Sequence, residues 1–385
     1  MSAVADLLGE LDPVGRDPRG GWSRPGFGPE VRLMQAWFTE RAQERGLDVS
    51  RDRNGNLWAW WGAPGPGAVV TGSHLDSVPG GGRLDGPLGV VSALVAVQRL
   101  RASGFRPVKP VAVAVFAEEE GSRFGVACLG SRLLTGALDP AAVLPAGFDG
   151  VDGAGPDDEA LDRIGCFVEL HVEQGRGLVD LGAPVGLATG ILAHGRWRLT
   201  VTGRGDHAGT TRMADRADPV VAAARVVLAV EQAALAVDGA RATVGRVEAV
   251  PGGTNVIASR VELSLDVRAE DGATARALVA RIEESGALEA ARNGCGFGIE
   301  QGSWSDHVVF DAALRERLDA ALGGVPALPT GAGHDAGILA AHVPTAMLFV
   351  RNPTGVSHAP EEDASDADMA AGAAALELAL RTLAS

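Results

Sequence analysis

The order of apolar and polar positions divides the chain into two kinds of segment. GAVVTGS (67–73), VKPVAVAVFA (108–117), GCFVELHV (165–172) and PTAMLFV (344–350) are apolar almost throughout. Strands read this way when both faces of their sheet are covered. Helical patterns accompany them: PLGVVSALVAVQRLRASG (87–104), ending at Gly104, and DMAAGAAALELALRTLAS (368–385). Apolar strands with helices between them predict an α/β architecture, a mixed and mostly parallel sheet covered on both sides.

A different rhythm holds from about 191 to 303. RWRLTVTGRG (196–205) alternates polar and apolar residues, as a half-exposed strand does. DPVVAAARVVLAVEQAALAV (218–237) reads as a strong helix, with Asp218 as N-cap and Pro219 in its first turn. RATVGRVEAV (241–250) and SRVELSLDVRA (259–269) add two strands, and GATARALVARIEESG (272–286) a second helix. The expectation is a larger domain, residues 1–190 and 304–385, carrying an inserted α+β domain, 191–303, whose sheet is open on one face. No internal repeat or low-complexity linker interrupts the chain, and AGFDGVDGAGPDDEA (146–160) reads as its loosest loop.

Composition narrows the function classes. With 46% apolar and 22% charged residues over 385 positions, the chain has the make-up of a soluble globular protein with a sizeable core. A net charge of −15 argues against nucleic-acid and anionic-membrane partners. Apolar runs such as VVSALVAV (90–97) are too short to span a bilayer, and the N-terminus lacks a basic–apolar leader pattern. A cytoplasmic location is therefore expected. Cys128, Cys166 and Cys295 are widely spaced with no CxxC, so neither a disulfide framework nor a thiolate zinc site is expected.

Candidate chemistry collects where the apolar strands end. His74, Asp76 and Asp85 follow the first; Glu118, Glu119 and Glu120 the second; His171 and Glu173 the third; His358 the fourth. Functional groups of open α/β sheets gather beyond the carboxyl ends of strands, and imidazole with carboxylate suits divalent ions. Taken singly, each histidine reads as a packed or surface residue and the acidic run as a solvated face. Four such coincidences together point to a metal. A cation would also make FAEEEGSRFG (116–125) tolerable, since adjacent carboxylates beside a buried strand otherwise repel and lose hydration. One carboxylate left off the metal can act as general base toward the water that the ion acidifies. PGGGRLDG (79–86) lacks the GK[ST] ending of a phosphate loop.

HLDSVPGGGRLDGPLG, EEEGSRFG, ELHVEQG, DHAGTTRM, GGTNVI, LDVRA, GAGHDA and GVSHAPEE together resemble the M20 amidohydrolases over about residues 65–365, in that family's order. The nearest branch is that of allantoate amidohydrolases, N-carbamoyl-L-amino-acid hydrolases and β-ureidopropionases. The resemblance implies two divalent metal ions per subunit, zinc or manganese, with cobalt or nickel compatible with the same donors. His74, Asp85, Glu120, His171 and His358 match the ligands, with Asp85 the bridge. Glu119 matches the general base, and Asp76 the carboxylate that orients the histidine and tunes the base. Glu118 matches no role.

The same resemblance implies that the inserted domain is a ferredoxin-like dimerisation and lid domain, hence a homodimer. His207 matches an oxyanion donor; Asn255 and Arg268 match groups that bind a substrate carboxylate; Gln174 matches a polar contact. From spacing alone Arg268 would read as an exposed strand charge and Asn255 as a turn residue. The chain departs from the commoner wording at Arg212, where many members have proline, and at His194 and Arg196. His334 of GAGHDA is a further candidate near the metals. The departures bear on substrate, not on chemistry. Arg212 and the ending FVRNPTGVSHAPEE resemble allantoate-type members most.

The reaction so implied is hydrolysis of a C–N bond in a small ureido or amide compound bearing a carboxylate, first of all allantoate with release of ammonia. N-carbamoyl-L-amino acids, or N-acyl, N-formyl and formimino compounds, are the alternatives. His171 stands where the family's peptidases carry aspartate, which disfavours a dipeptidase. A non-catalytic binding protein would have an eroded ligand set, and here all five ligands and the base are present.

Overall fold

The computed structural model describes residues 2–385. It resolves into two compact units, one running to Gly190 and resuming at Val309, the other spanning Ile191–Val308. In chain order the first unit contributes β1 (Asp48–Arg51), β2 (Leu57–Trp61), β3 (Ala68–His74), β4 (Val111–Phe116), β5 (Ile164–Val172) and β6 (Val185–Ile191). The second holds β7 (Ala193–Thr202), β8 (Asp206–His207), β9 (Arg241–Val250), β10 (Val256–Ile257), β11 (Arg260–Ala269) and β12 (Gly296–Ser305). The chain then adds β13 (Val308–Val309), β14 (Ala327–Thr330) and β15 (Thr345–Val350).

The large sheet runs β1-β2-β4-β3-β5-β15-β6-β13, with β14 paired to β6. Its centre, β4-β3-β5-β15, is parallel, and the flanking pairs β1–β2, β2–β4 and β6–β15 are antiparallel. Every residue of β3, β4 and β15 is buried, as their largely apolar composition leads one to expect. Each fully buried valine or leucine contributes about 1.5–3 kcal/mol. Helix Pro87–Ala102 packs on this centre, and Gly104, at φ +76°, lets the chain turn out of it. The sheet is tight at Gly72, where a Cβ would lie 2.0 Å from the Ala114 carbonyl oxygen of β4.

The inserted unit has β–α–β–β–α–β order, and its four long strands pair antiparallel as β12-β7-β11-β9. Trp197, Leu199 and Val201 of β7 and Leu263, Leu265 and Val267 of β11 form one buried face, packed with helices Pro219–Leu235 and Gly272–Ala291. The alternate residues, including His194, Arg196, Asp266 and Arg268, lie on the other face. Asp218 caps its helix by accepting the Val220 N–H at 2.9 Å.

Several features went unread in the sequence, β6, β14 and the helix Ala312–Leu322 among them. GFGIEQGSWS has three glycines and a single β-branched residue, so β12 carried no strand signal. Because β12 pairs along β7, the inserted unit extends to Val308 rather than 303. Helices Ala3–Leu11 and Pro29–Glu44 and the β1–β2 hairpin precede the first recognised strand. The 146–160 stretch, expected to be loose, is pinned instead: Phe148 packs edge-on against Phe27 at 5.1 Å and Phe124 at 5.2 Å. The Asn54 side-chain amide holds Gly155 there, accepting its N–H at 2.8 Å and donating to its carbonyl at 3.0 Å. Among the described residues no helix is long and apolar enough to cross a membrane.

Gly72→Ala should destabilise the larger unit by roughly 2–3 kcal/mol, because strand backbone has to move apart to admit the methyl group. A urea-unfolding series checks this. An unchanged midpoint would show that β3 and β4 are not so closely apposed.

Candidate metal centre

Strand ends β3, β4 and β5 and the loop after β15 bring eight of the candidate residues together. His74 terminates β3 and His171 lies near the end of β5; both rings are buried and stack with centroids 5.9 Å apart. His74 Nδ1 donates to the Asp76 main-chain carbonyl at 3.1 Å and His171 Nδ1 to that of Val172 at 2.9 Å. Each Nδ1 thus carries a proton, which leaves each Nε2 as the atom available to a metal. Both Nε2 atoms face Asp85 Oδ1, at 3.5 and 3.1 Å. On the far side of the carboxylate, His358 Nε2 lies 3.3 Å from Asp85 Oδ2 and 3.4 Å from Glu120 Oε2.

Asp85 therefore joins two donor groups, His74–Asp85–His171 and Asp85–Glu120–His358. Ligands about 2.0–2.1 Å from a tetrahedral ion stand about 3.3 Å apart, which the spacings of 3.1–3.5 Å around Asp85 match. His74 Nε2, His171 Nε2 and Glu120 Oε1 are buried without a hydrogen-bond partner among the described residues. Orphaned polar atoms of that kind are costly unless something completes them. The donor set fits one divalent ion in each group.

The three glutamates after β4 turn in three directions. Glu118, with φ +54°, accepts the Arg123 and Phe124 N–H groups and so ties down the loop. Glu120 faces Asp85 and His358. Glu119 belongs to neither donor group; Cys128 Sγ donates to its Oε1 at 3.2 Å, and its Oε2 lies 3.8 Å from His74 Nε2. Asp76 anchors both by accepting the N–H groups of Glu119 (3.1 Å) and Glu120 (3.0 Å). Its carboxylate stands 3.7 Å from His74 Nδ1, so it is the Asp76 main chain that orients the ring. Burial, with Glu120, Asp335 and Asp76 nearby, pushes Glu119 well above the usual carboxylate range. Asp85 moves the opposite way, held low against its burial by His171, His358 and His74.

Other candidates fall elsewhere. Gln174 Nε2 donates to Asp85 Oδ2 (3.0 Å) and Ser357 Oγ (2.9 Å), which puts it at the centre. Glu173 does not join: its carboxylate accepts the Gly177 and Leu178 N–H groups at the start of a short helix. His334 is buried against His171, ring centroids 4.5 Å apart. In the inserted unit His207 pairs with Val256, and the Ala208 N–H reaches the Asn255 carbonyl at 3.0 Å, so His207 and Asn255 adjoin. Arg268 lies on β11, bonded to Asp266, and Arg212 is exposed with its Nε on Asp215.

Sequence reasoning missed the supports beneath the ligands. Glu362 accepts the Leu84 and Asp85 N–H groups at 3.2 and 3.0 Å, fixing the backbone that carries the shared aspartate. Glu169 accepts Ser73 Oγ–H and the Ala336 N–H, and Asp335 accepts Ser131 Oγ–H. One signal was available: a lone glutamate inside FVELHV, two residues before His171, shares that histidine's face.

Comparison with known proteins places these observations in a family. Residues 70–382 match the model of peptidase family M20/M25/M40. The chain is 36% identical over 388 residues to the N-carbamoyl-L-amino acid amidohydrolase of Geobacillus stearothermophilus, covering 96% of this chain and 95% of that one. It is 34% identical over 408 residues to the allantoate amidohydrolase of Escherichia coli K12, covering 99% and 98%. The crystal structure of a hydantoinase/carbamoylase-family amidase from Burkholderia multivorans superposes with a TM-score of 0.88 at 31% identity, covering 99% and 97%.

Metal-free protein should lose stability as pH rises. Burial lifts Glu120 and Glu362 to about 7 and Asp335 to about 8, so the fold accommodates their neutral forms. Their contribution is complete below the unfolded carboxyl values and disappears as pH passes 7 to 8. His358, raised to about 9 chiefly by Asp85, acts in the same sense over a higher window. Asp85, held low, matters only in acid. In chelator the melting temperature should fall between about pH 5.5 and 8.5, and added manganese or zinc should restore most at the alkaline end. A flat profile in chelator would contradict this assignment of burial and charge.

Proposed function

The chain belongs to peptidase family M20/M25/M40, whose members are metal-dependent hydrolases, and from that premise we propose that it is a two-metal amidohydrolase of ureido acids, with allantoate as its first substrate. The observation that carries this reading is the placing of one buried carboxylate, Asp85, between two donor groups, with Glu119 beside them and outside both. His74, Asp85 and His171 would hold one ion, and Asp85, Glu120 and His358 the other. Bound there, divalent ions acidify water and polarise the ureido carbonyl.

The chain's own groups supply the rest. Glu119 takes the proton of the attacking water and returns it to the nitrogen that leaves as the ureido C–N bond breaks. Its raised proton affinity suits a base that must accept and then give back a proton near neutrality. Cys128 and the Asp76-held main chain keep its carboxylate in one orientation. Gln174, beside Asp85, offers a polar contact.

In this reading the inserted unit supplies substrate-holding groups. The Gly209 N–H donates to His207 Nδ1 at 3.0 Å, so the neutral ring carries its proton on Nε2 and is a donor there. That tautomer suits an oxyanion donor. Asn255 and Arg268 would bind the substrate carboxylate, Arg268 through its guanidinium. Exposed Leu228 and Leu288 on the unit's two helices support a homodimer formed through them.

Glu119→Gln should lower kcat on allantoate by about 10²–10⁴ while the protein still binds its metals. Ammonia release, with metal content by elemental analysis, tests both halves. Near-normal turnover by Glu119→Gln would remove Glu119 as base. Wild-type activity that survives chelator would sink the metal reading.

A further inference from the structure

We infer that His194 is a specificity-determining residue, which selects ureido acids bearing an N–H or O–H group on the carbon next to the carboxylate over those bearing a hydrocarbon side chain. The inference rests on the proposed reading of Arg268 as the carboxylate anchor, and deepens it.

Register makes the argument. His194 of β7 lies directly opposite Arg268 of β11, and both belong to the sheet face turned away from the two helices. Directly paired residues of an antiparallel sheet have Cβ atoms about 4.5–5.5 Å apart. Asp266, two residues before Arg268, fixes the guanidinium by accepting from Nε at 2.8 Å and from one terminal nitrogen at 3.3 Å. Arg196 flanks the same carboxylate at 3.6 Å. A carboxylate held by Arg268 brings the substituents of its α-carbon beside the His194 ring.

The protonation of that ring decides what it accepts. His194 Nδ1 lies 3.2 Å from the Leu192 carbonyl oxygen, which can only accept, so Nδ1 carries the proton. Half-burial, with Arg268 and Arg196 nearby, keeps the ring neutral. Nε2 is then an acceptor, and the one hydrogen bond of the ring among the described residues is made through Nδ1. A substrate N–H or O–H satisfies that lone pair. A methyl group desolvates it without compensation, and a site built to hydrogen-bond rejects the analogue that lacks the group. Allantoate offers a second ureido N–H at this position and ureidoglycolate a hydroxyl. N-carbamoyl-L-alanine offers a methyl group of nearly the hydroxyl's size.

The test compares kcat/KM for ureidoglycolate and N-carbamoyl-L-alanine in the metal-loaded full chain, with allantoate as a third substrate. The wild type should favour ureidoglycolate by about tenfold or more. His194→Phe keeps a flat ring without the acceptor and should bring the ratio to within about threefold of one, mainly through KM. His194→Gln keeps an acceptor and should retain most of the preference. A wild type that treats the pair alike or prefers N-carbamoyl-L-alanine, or a ratio unmoved by His194→Phe, overturns the inference and leaves the amidohydrolase reading standing. Failure of the wild type on all three substrates overturns both.

Discussion

The carboxylate of Asp85 is the constraint around which the larger unit is arranged. It is almost fully buried, faces three imidazoles, and lies on a loop whose backbone another buried carboxylate, Glu362, holds in place. Burying an anion is expensive unless several partners share its charge. The parallel strands are what bring those partners in, since β3 and β5 deliver His74 and His171 from adjacent ends. Gly86, with φ +83°, passes so near His74 that a Cβ would lie 2.5 Å from the ring. The loop after Asp85 can therefore close over the histidine only because it has no side chain there.

Acidic residues around this centre separate by environment rather than by type. Glu118 and Glu173 spend their carboxylates on main-chain N–H groups and shape loops. Asp76 does the same, but the N–H groups it holds belong to Glu119 and Glu120, so a structural bond positions the candidate base and ligand. Glu119 keeps one oxygen on a weak thiol donor, and burial beside Glu120, Asp335 and Asp76 leaves its basicity high despite His74 nearby. Neighbouring, identical residues thus diverge in chemistry through burial, hydrogen bonding and nearby charge.

In the inserted unit the same logic works through strand register. Alternation along β7 and β11 sends apolar residues to the helices and polar ones to the open face, where His194, Arg196, Asp266 and Arg268 meet across two strands. Two histidines of this unit illustrate how a main-chain partner sets the tautomer of a ring. His207 Nδ1 accepts an N–H and its ring becomes a donor at Nε2; His194 Nδ1 faces a carbonyl and its ring becomes an acceptor.

Much of this was legible along the chain. Period and composition alone determined the four buried strands, the inserted unit with its open face, and the metal-capable residues at strand ends, because burial leaves its mark on every position of an element. The motif resemblance singled out the candidate ligands and the proposed base. Strand β12 stayed hidden, since glycines erase the alternation that pairing with β7 does not need. Tertiary structure alone decided which carboxylates face the centre and which cap loops, that Glu169, Asp335 and Glu362 support it from below, and which nitrogen of each histidine is bare. Those outcomes depend on partners up to 278 residues apart in sequence, as for Glu362 and Leu84. A local pattern records whether a position is buried, but the direction of a hydrogen bond is fixed only by the group that folding brings opposite.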